Sequence, residues 1–403
     1  MDFVSGFIEY TSAYESPTSF WKWSAYVTIG SILRDNCFLL LKDIKIFPNI
    51  YVLLLADSAI QRKANPINFC REFVDTIHNT KLITGRSSIQ GILDELARGE
   101  TDKITGQIMK GGSALFLAQE LSANIVNDPE AIRILTDIYD FHPNYDSRLR
   151  GMGHFRIPNL CFSMFAASNE TLLRDVYDVK ATMGGLLGRT FLVIPDEFRP
   201  GNSLFNPNHT SSSLDSLTNE LKLFSQLRGR FEVNKDGQEF YNEWYLPFRE
   251  SYKEKQDRSG IVGRIHTSVL KLAMILCVNE TKQLIIHTRH IAQAIDECTK
   301  LLPNYQSFMM SGGKSPIAEA ATIIVNEIYS HKDHCCSRRI IMQRHWNNID
   351  AETMDKVITT LAEAGMVKII GIENELIYQL TNECITLLFE KGEKDAGTNS
   401  TKT

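Results

Sequence analysis

The chain has 403 residues, 43% of them hydrophobic and 23% charged, with a formal net charge of −5. That length accommodates two or three domains at roughly 100–200 residues each, and the composition is that of an ordinary globular protein. The mild acidity excludes a global basic field for nucleic acid, so any DNA-binding surface has to be local.

The first twenty residues, MDFVSGFIEYTSAYESPTSF, lack the basic start and long apolar core of a secretory signal. Apolar runs such as Val269–Val278, itself interrupted by Lys271, fall short of the ~20 residues that span a bilayer. The expectation is a soluble protein without a membrane partner, located in the cytoplasm (of the host cell if the protein is viral). From Phe47 to about Pro195 strand-like apolar runs alternate with helical patterns. The strands are expected at Ile50–Leu55, Ala114–Ala118, Leu160–Ala166 and Thr190–Ile194. Helices are expected at Pro66–His78, Ser88–Ala97, Ala131–Tyr139 and Glu170–Val176. Continuous apolar strands between helices predict an α/β domain, residues 1–200, with a mostly parallel sheet covered on both faces.

GNSLFNPNHTSSSLDS, Gly201–Ser216, is dense in Asn, Ser and Pro and reads as a linker or long surface loop. Helical patterns follow at Leu217–Arg228, Gly237–Gln256, Ile261–Val278 and Thr288–Leu301, giving a helical region over 201–310. MMSGGKSP, Met309–Pro316, is a second break; no strand precedes its GGKS, so it reads as a flexible linker. Beyond it, helices at Ile317–His331, Ser337–His345 and Asp350–Ala364, with Asp350 as N-cap, precede strands at Met366–Ile370 and Glu375–Leu380. Three helices and a hairpin predict a winged helix over 311–385, and the polar tail 386–403 is expected to be disordered. The eight cysteines have no repeating spacing. A zinc site from His331, His334, Cys335, Cys336 and His345 lacks paired C-x-x-C spacing, so reduced thiols and no metal site are the expectation.

The stretch FPNIYVLLLADSAIQRKANP, Phe47–Pro66, has the layout of a phosphate-binding loop: strand, small polar loop, helix. Yet the loop Ala56–Lys63 contains no glycine, whereas G-x-x-x-x-G-K-[ST] uses glycines so that backbone N–H groups can wrap phosphates. Side-chain cations then have to compensate, and Arg62 and Lys63 are expected to face one anion site where a helix starts near Asn65 or Pro66. ATP hydrolysis further needs acidic residues ending a second strand. GGSALFLAQELSA ends in Gln119-Glu120: Glu120 can polarise water, while Gln119 puts a neutral amide where Mg²⁺ usually meets a carboxylate. NLCFSMFAASNE ends a third strand in Ser168-Asn169, where Asn169 either orients water or simply makes a turn. In GGLLGRTFLVIP, Arg189 either reaches a neighbouring subunit's phosphate or makes a surface salt bridge.

PNIYVLLLADSAIQRKANP, TGRSSIQGILDEL, SALFLAQELSA, ILTDIYD, FAASNE and GGLLGRTFLV together resemble phage and mobile-element proteins of the primase-helicase-like kind, which carry a P-loop-type domain. RIHTSVLKLAMILCV followed by HTRHIAQAI resembles the helical region that follows the ATPase core there. The resemblance covers about Ser16 to Leu301, without a preceding primase-like region. It implies an AAA+-like ATPase core that forms homo-oligomeric rings on single-stranded or forked DNA, with ATP and Mg²⁺ as cofactors. Carried over, Asp57, Ser58, Arg62 and Lys63 form the nucleotide-binding loop, with Lys63 on the β/γ-phosphates. Glu120 is then the catalytic acid, Asn169 the sensor and Arg189 the finger. Ala64 departs from the pattern by lacking the magnesium-binding hydroxyl, which leaves Ser58 for that role. The alternative is an inert DNA-binding or scaffold protein on a decayed P-loop fold.

In the C-terminal module the third helix carries Asp350, Glu352, Asp355 and Glu363 against Lys356. That excludes base reading in the major groove, which calls for Arg, Lys, Asn or Gln. Phosphate contact is instead expected from the second helix through Arg338, Arg339 and Arg344, or the module docks on protein.

Overall fold

Three of the five strands in the main sheet are apolar runs buried at every residue. The computed structural model describes residues 2–385, except 57–60, 79, 86–87, 99, 102–107, 110–111, 122–124, 126–127, 150–152, 170–182, 196, 202–210, 252–259, 306–315 and 373–374. The chain divides into two compact units, 1–312 and 313–403.

Unit 1 opens with helices α1 (Phe3–Tyr10) and α2 (Thr18–Leu33) and the hairpin strands β1 (Cys37–Leu41) and β2 (Ile44–Ile46). Next come β3 (Tyr51–Leu55), α3 (Ala64–Ile77), β4 (Lys81–Thr84), α4 (Ile89–Ala97) and a two-stranded ribbon, β5 (Glu100–Thr101) with β6 (Ile108–Met109). β7 (Ser113–Ala118), α5 (Pro129–Asp137), β8 (His142–Leu149), β9 (Gly153–Ser168), α6 (Met183–Leu187) and β10 (Thr190–Val193) follow. The main sheet has the order β10-β3-β9-β7-β4, all parallel, with β8 antiparallel to the first half of β9. Every residue of β3, β7 and β10 is buried, as a parallel sheet packed between helices requires. The α/β expectation with a parallel sheet therefore holds. Of the expected helices, Glu170–Val176 lies outside the described residues.

Helix α2 escaped an amphipathic reading because it has no polar face. In α2, 13 of 16 residues are buried; a helix that is apolar all round belongs in a core. It packs on α3, β3, β9 and β10. Lys22 ties it to Glu297 at 2.7 Å.

Residues 201–310, expected as a helical region, contribute strands as well. α7 (Ser211–Gln226), β11 (Gly229–Val233), α8 (Lys235–Ser251), α9 (Ile265–Thr281), β12 (Ile285–Ile286) and α10 (Thr288–Lys300) belong to the same unit as the sheet. β11 pairs in parallel with β1, and the small sheet runs β12-β11-β1-β2. Thus Cys37 sits beside Gly229 across most of the unit's sequence. No helix among the described residues is long and apolar enough to cross a membrane.

Unit 2 has its own core, in which Ile324, Ile328, Ile341, Met354, Val357 and Tyr378 are buried together. Its elements are α11 (Pro316–Ser330), β13 (Cys335–Ser337), α12 (Arg338–His345), α13 (Ala351–Glu363), β14 (Val367–Ile372), β15 (Glu375–Leu380) and α14 (Asn382–Ile385). Ser337 and Asp350 cap α12 and α13, the Asp350 carboxylate accepting from Thr353 N–H at 2.7 Å. β15 is the centre of an antiparallel sheet, β13-β15-β14. β13, only three residues long, has too short an alternation to be read from sequence.

Candidate functional site

In the main sheet the chain leaves β3 for the far edge at β4, returns through β7 and β9 to lie beside β3, and then crosses to β10 on the other flank. Ligands of open α/β sheets bind outside the carboxyl ends of strands where the order reverses in this way. A cleft of about 720 Å³ lies there, bordered by the ends of β4, β7 and β9 and the first turns of α3.

The glycine-free loop enters this cleft. Asp57 and Ser58 lie outside the described residues. One left-handed residue is present even so: Arg62, at φ +46°, which costs a non-glycine residue roughly 1–2 kcal/mol. The surroundings hold it in place. Its carbonyl accepts from Ser16 Oγ at 3.0 Å and from Asn65 N–H at 3.1 Å. Its Nε donates to Glu15 Oε2 at 3.0 Å. Arg62 therefore borders the cleft with its guanidinium engaged by Glu15, a correction to the expectation that both cations face one anion site. The sequence offered no sign that Glu15, 47 residues upstream, would reach it.

Lys63 does line the cleft. Its ammonium donates to the carbonyls of Ala56 and Ser168, the latter at 2.8 Å. It thereby bridges the ends of β3 and β9, which are neighbours in register at Leu55 and Ser168. Directly after it α3 begins at Ala64, and Pro66 falls in the first turn, where no N–H is needed. Ala64, Ile67, Asn68 and Arg71 all border the cleft and recur at i, i+3, i+4 and i+7, one face of the helix. Arg71 is exposed and makes no ion pair or hydrogen bond among the described residues. An anion in the cleft would meet a helix N-terminus, Lys63 and Arg71 together. Arg71 went unread in the sequence, although its i+7 spacing from Ala64 was the signal.

Gln119 and Glu120, exposed at the end of β7, and Asn169, just past β9, line the same cleft. Gln119 Nε2 donates to Asn68 Oδ1 at 2.7 Å, so its amide is turned towards α3. Three expected residues from separate segments, Lys63, Glu120 and Asn169, are thus brought together. Thr84 and Gly85, at φ +92°, close the β4 side.

Arg189 is placed elsewhere. It precedes Thr190, which pairs with Tyr51 at the start of β3, so it sits at the sheet edge opposite the cleft. Its guanidinium donates to Asp140 at 3.1 Å and to the Gly185 carbonyl at 3.0 Å. Within one chain it cannot join Glu120. In unit 2, Arg338 is tied to Asp355 and, at 3.3 Å, to Tyr378; Arg344 holds Glu327 at 2.7 Å. Of the three arginines expected to meet phosphate, Arg339 alone is exposed without a bond among the described residues.

The chain matches no protein-family model and no curated protein sequence.

Proposed function

We propose that the cleft binds a nucleoside triphosphate and that the protein is an ATP-dependent DNA helicase or translocase, built on an AAA+-like P-loop core and working as a ring in replication of a phage or mobile element. The observation that carries this reading is convergence at a topological switch point. Lys63 after β3, Glu120 after β7 and Asn169 after β9 border one cleft at the carboxyl ends of a parallel sheet. Phosphate binding suits the donor set of Lys63, Arg71 and the α3 N-terminus. Glu120 is the group to polarise an attacking water, with Asn169 beside it. Any Mg²⁺ would be held by phosphate oxygens and water more than by protein, because Ala64 lacks a hydroxyl and Gln119 is neutral. Arg189, on the opposite sheet edge, acts in this reading only across a subunit boundary, which makes the ring part of the proposal.

Unit 2, as a winged helix, would contact the DNA backbone through Arg339, with Arg338 and Arg344 committed to internal partners. A second reading draws on the Lys63 contacts. An ammonium already spanning the Ala56 and Ser168 carbonyls suits an inert scaffold on a decayed ATPase fold. ATP hydrolysis with Mg²⁺, measured with and without single-stranded DNA, separates the two. The motor is expected to turn over, and faster on DNA. Glu120→Gln should keep nucleotide binding and lose turnover; Lys63→Ala should lose both. Pure oligomeric protein that neither binds nor hydrolyses ATP would leave the scaffold reading standing.

A further inference from the structure

Four residues with metal-binding side chains meet in unit 2, far in sequence from the cleft. Glu327 lies near the end of α11, His331 just after it, Cys336 in β13 and His345 at the end of α12. His331 Nε2 is 2.8 Å from Glu327 Oε1, and His345 Nε2 is 2.9 Å from Glu327 Oε2. The ligand atoms of Glu327, His331 and Cys336 all lie within 4.8 Å of one another. The four are sheltered: their side chains are 11% (Glu327), 24% (His331) and 24% (His345) exposed, and Cys336 is 3% exposed.

Ion pairing accounts for the imidazoles around Glu327 but not for the thiol. A carboxylate can accept from two imidazoles and Arg344 at once. Cys336 adds nothing to that hub, its own contact being a 3.7 Å approach to the Ser337 carbonyl. A neutral thiol donates only weakly to a carboxylate, whereas a divalent cation between them would take thiolate and carboxylate alike as ligands. One Cys, two His and one Glu are a borderline-soft donor set, and four protein donors leave no open position. With Zn–N of about 2.0–2.1 Å and Zn–S of about 2.3 Å, tetrahedral donors stand roughly 3.3–3.7 Å apart. The ligand atoms of Glu327, His331 and Cys336 need shifts of about 1 Å to reach that, and His345 joins them through its contact with Glu327.

We propose that Glu327, His331, Cys336 and His345 form a structural zinc site. The metal ties the end of α11 to β13 and to the end of α12, three elements of a unit with a small core. Binding releases the Cys336 proton, and thiolate and carboxylate together neutralise the dication. Arg344, 2.7 Å from Glu327 Oε1, stays as the partner that orients the ligating carboxylate. The residues that sequence spacing groups with these divide differently. His334 Nδ1 is held at 2.8 Å by the Tyr329 carbonyl and its ring stacks on Tyr329. Cys335, next to Cys336 on the strand, takes the opposite face.

The test is a Co²⁺ titration of full-length, chelator-treated protein, read by the near-ultraviolet thiolate-to-cobalt charge-transfer band and by metal content. One equivalent per chain with that band is expected, displaced by Zn²⁺. No cysteine lines the nucleotide cleft, so metal bound there produces no such band, and failure of either proposal is distinguishable from failure of the other. Cys336→Ser should abolish the band and Cys335→Ser should keep it. Should Cys336→Ser not fold, His345→Gln is the second probe, expected to weaken binding by more than about tenfold. Folded protein that takes up no stoichiometric metal, a band lost with Cys335 instead, or undiminished affinity in His345→Gln overturns the site.

Discussion

Lys271 is a buried ammonium in α9, 3% exposed, whose hydrogen bonds go to the carbonyl of Asn49 at 2.9 Å and to its Oδ1 at 2.7 Å. Its charge also lies 4.2 Å over the Tyr139 ring. Asn49 in turn donates to the carbonyls of Tyr139 and Phe162, so one lysine steadies the start of β3 against two other segments. Burial, opposed by Cys161 and Asp140 and helped by Arg189, brings its pKa down from 10.5 to about 8. Between about pH 8 and 10.5 the unfolded chain holds a proton that the folded chain has released, so stability from this group rises with pH across that window. Below pH 8 both states are protonated and the burial penalty is fully present. Urea unfolding of wild type and Lys271→Met at pH 7.5 and 10 is expected to show wild type gaining up to about 3 kcal/mol on the variant at the higher pH. Equal pH dependence of the two proteins would rule the assignment out. At the cleft, the matching single-residue expectation concerns Arg71. Arg71→Ala should weaken nucleotide binding about tenfold, roughly 1.4 kcal/mol, without changing the melting temperature of the free protein. Calorimetric titration with ATP checks it, and unaltered affinity would remove Arg71 from the site.

At the scale of elements, one tight packing constraint is where α2 crosses the segment leading into β3. A Cβ on Gly30 would stand 2.5 Å from the Pro48 carbonyl oxygen and 3.1 Å from Ile275 of α9. Backbone cannot move aside as a flexible side chain can, so Gly30→Ala is expected to cost about 1–3 kcal/mol, seen as a lower urea midpoint at an unchanged slope. A neutral result would mean that α2 and β3 are not so closely packed. The same crossing explains what the sequence disclosed and what it hid. β3, β7 and β10 were legible because a continuous apolar run between helices has one natural place, a parallel sheet interior. β4 was not: it is four residues long and begins with Lys81, whose amine reaches the Arg98 carbonyl at 3.1 Å. β8 reads HPNYDSRL, mostly polar, and is a strand because β9 continues beyond the sheet to pair with it. α2 hid for the opposite reason, having no polar face to set a period. At the cleft, Glu120 and Asn169 were legible as residues just past strand ends and Lys63 as the loop cation before α3. The engagement of Arg62 by Glu15 was not, since it depends on how the turn after α1 packs against the loop.

For the whole molecule, residues 1–312 and 313–403 have separate cores, from which thermal unfolding in two parts is expected. Each proposed ligand belongs to one part. A nucleotide at 100 times its Kd adds about 2.7 kcal/mol to the unit that binds it. In a unit of some 300 residues, 1 kcal/mol moves the midpoint by only about 2–4 °C or less, because the unfolding entropy grows with size. The same free energy moves a domain of 60–100 residues by roughly 4–8 °C per kcal/mol. Removal of a structural metal from unit 2 should therefore produce the larger displacement even if the two ligands bind equally tightly. Differential scanning calorimetry of the full chain is expected to show two transitions. ATP with Mg²⁺ should raise the one with the larger enthalpy by several degrees. A chelator should lower the smaller one by more than that and leave the first in place. A single transition that both treatments shift together would show that the units unfold as one body, and a chelator without effect on either would count against the zinc site alone.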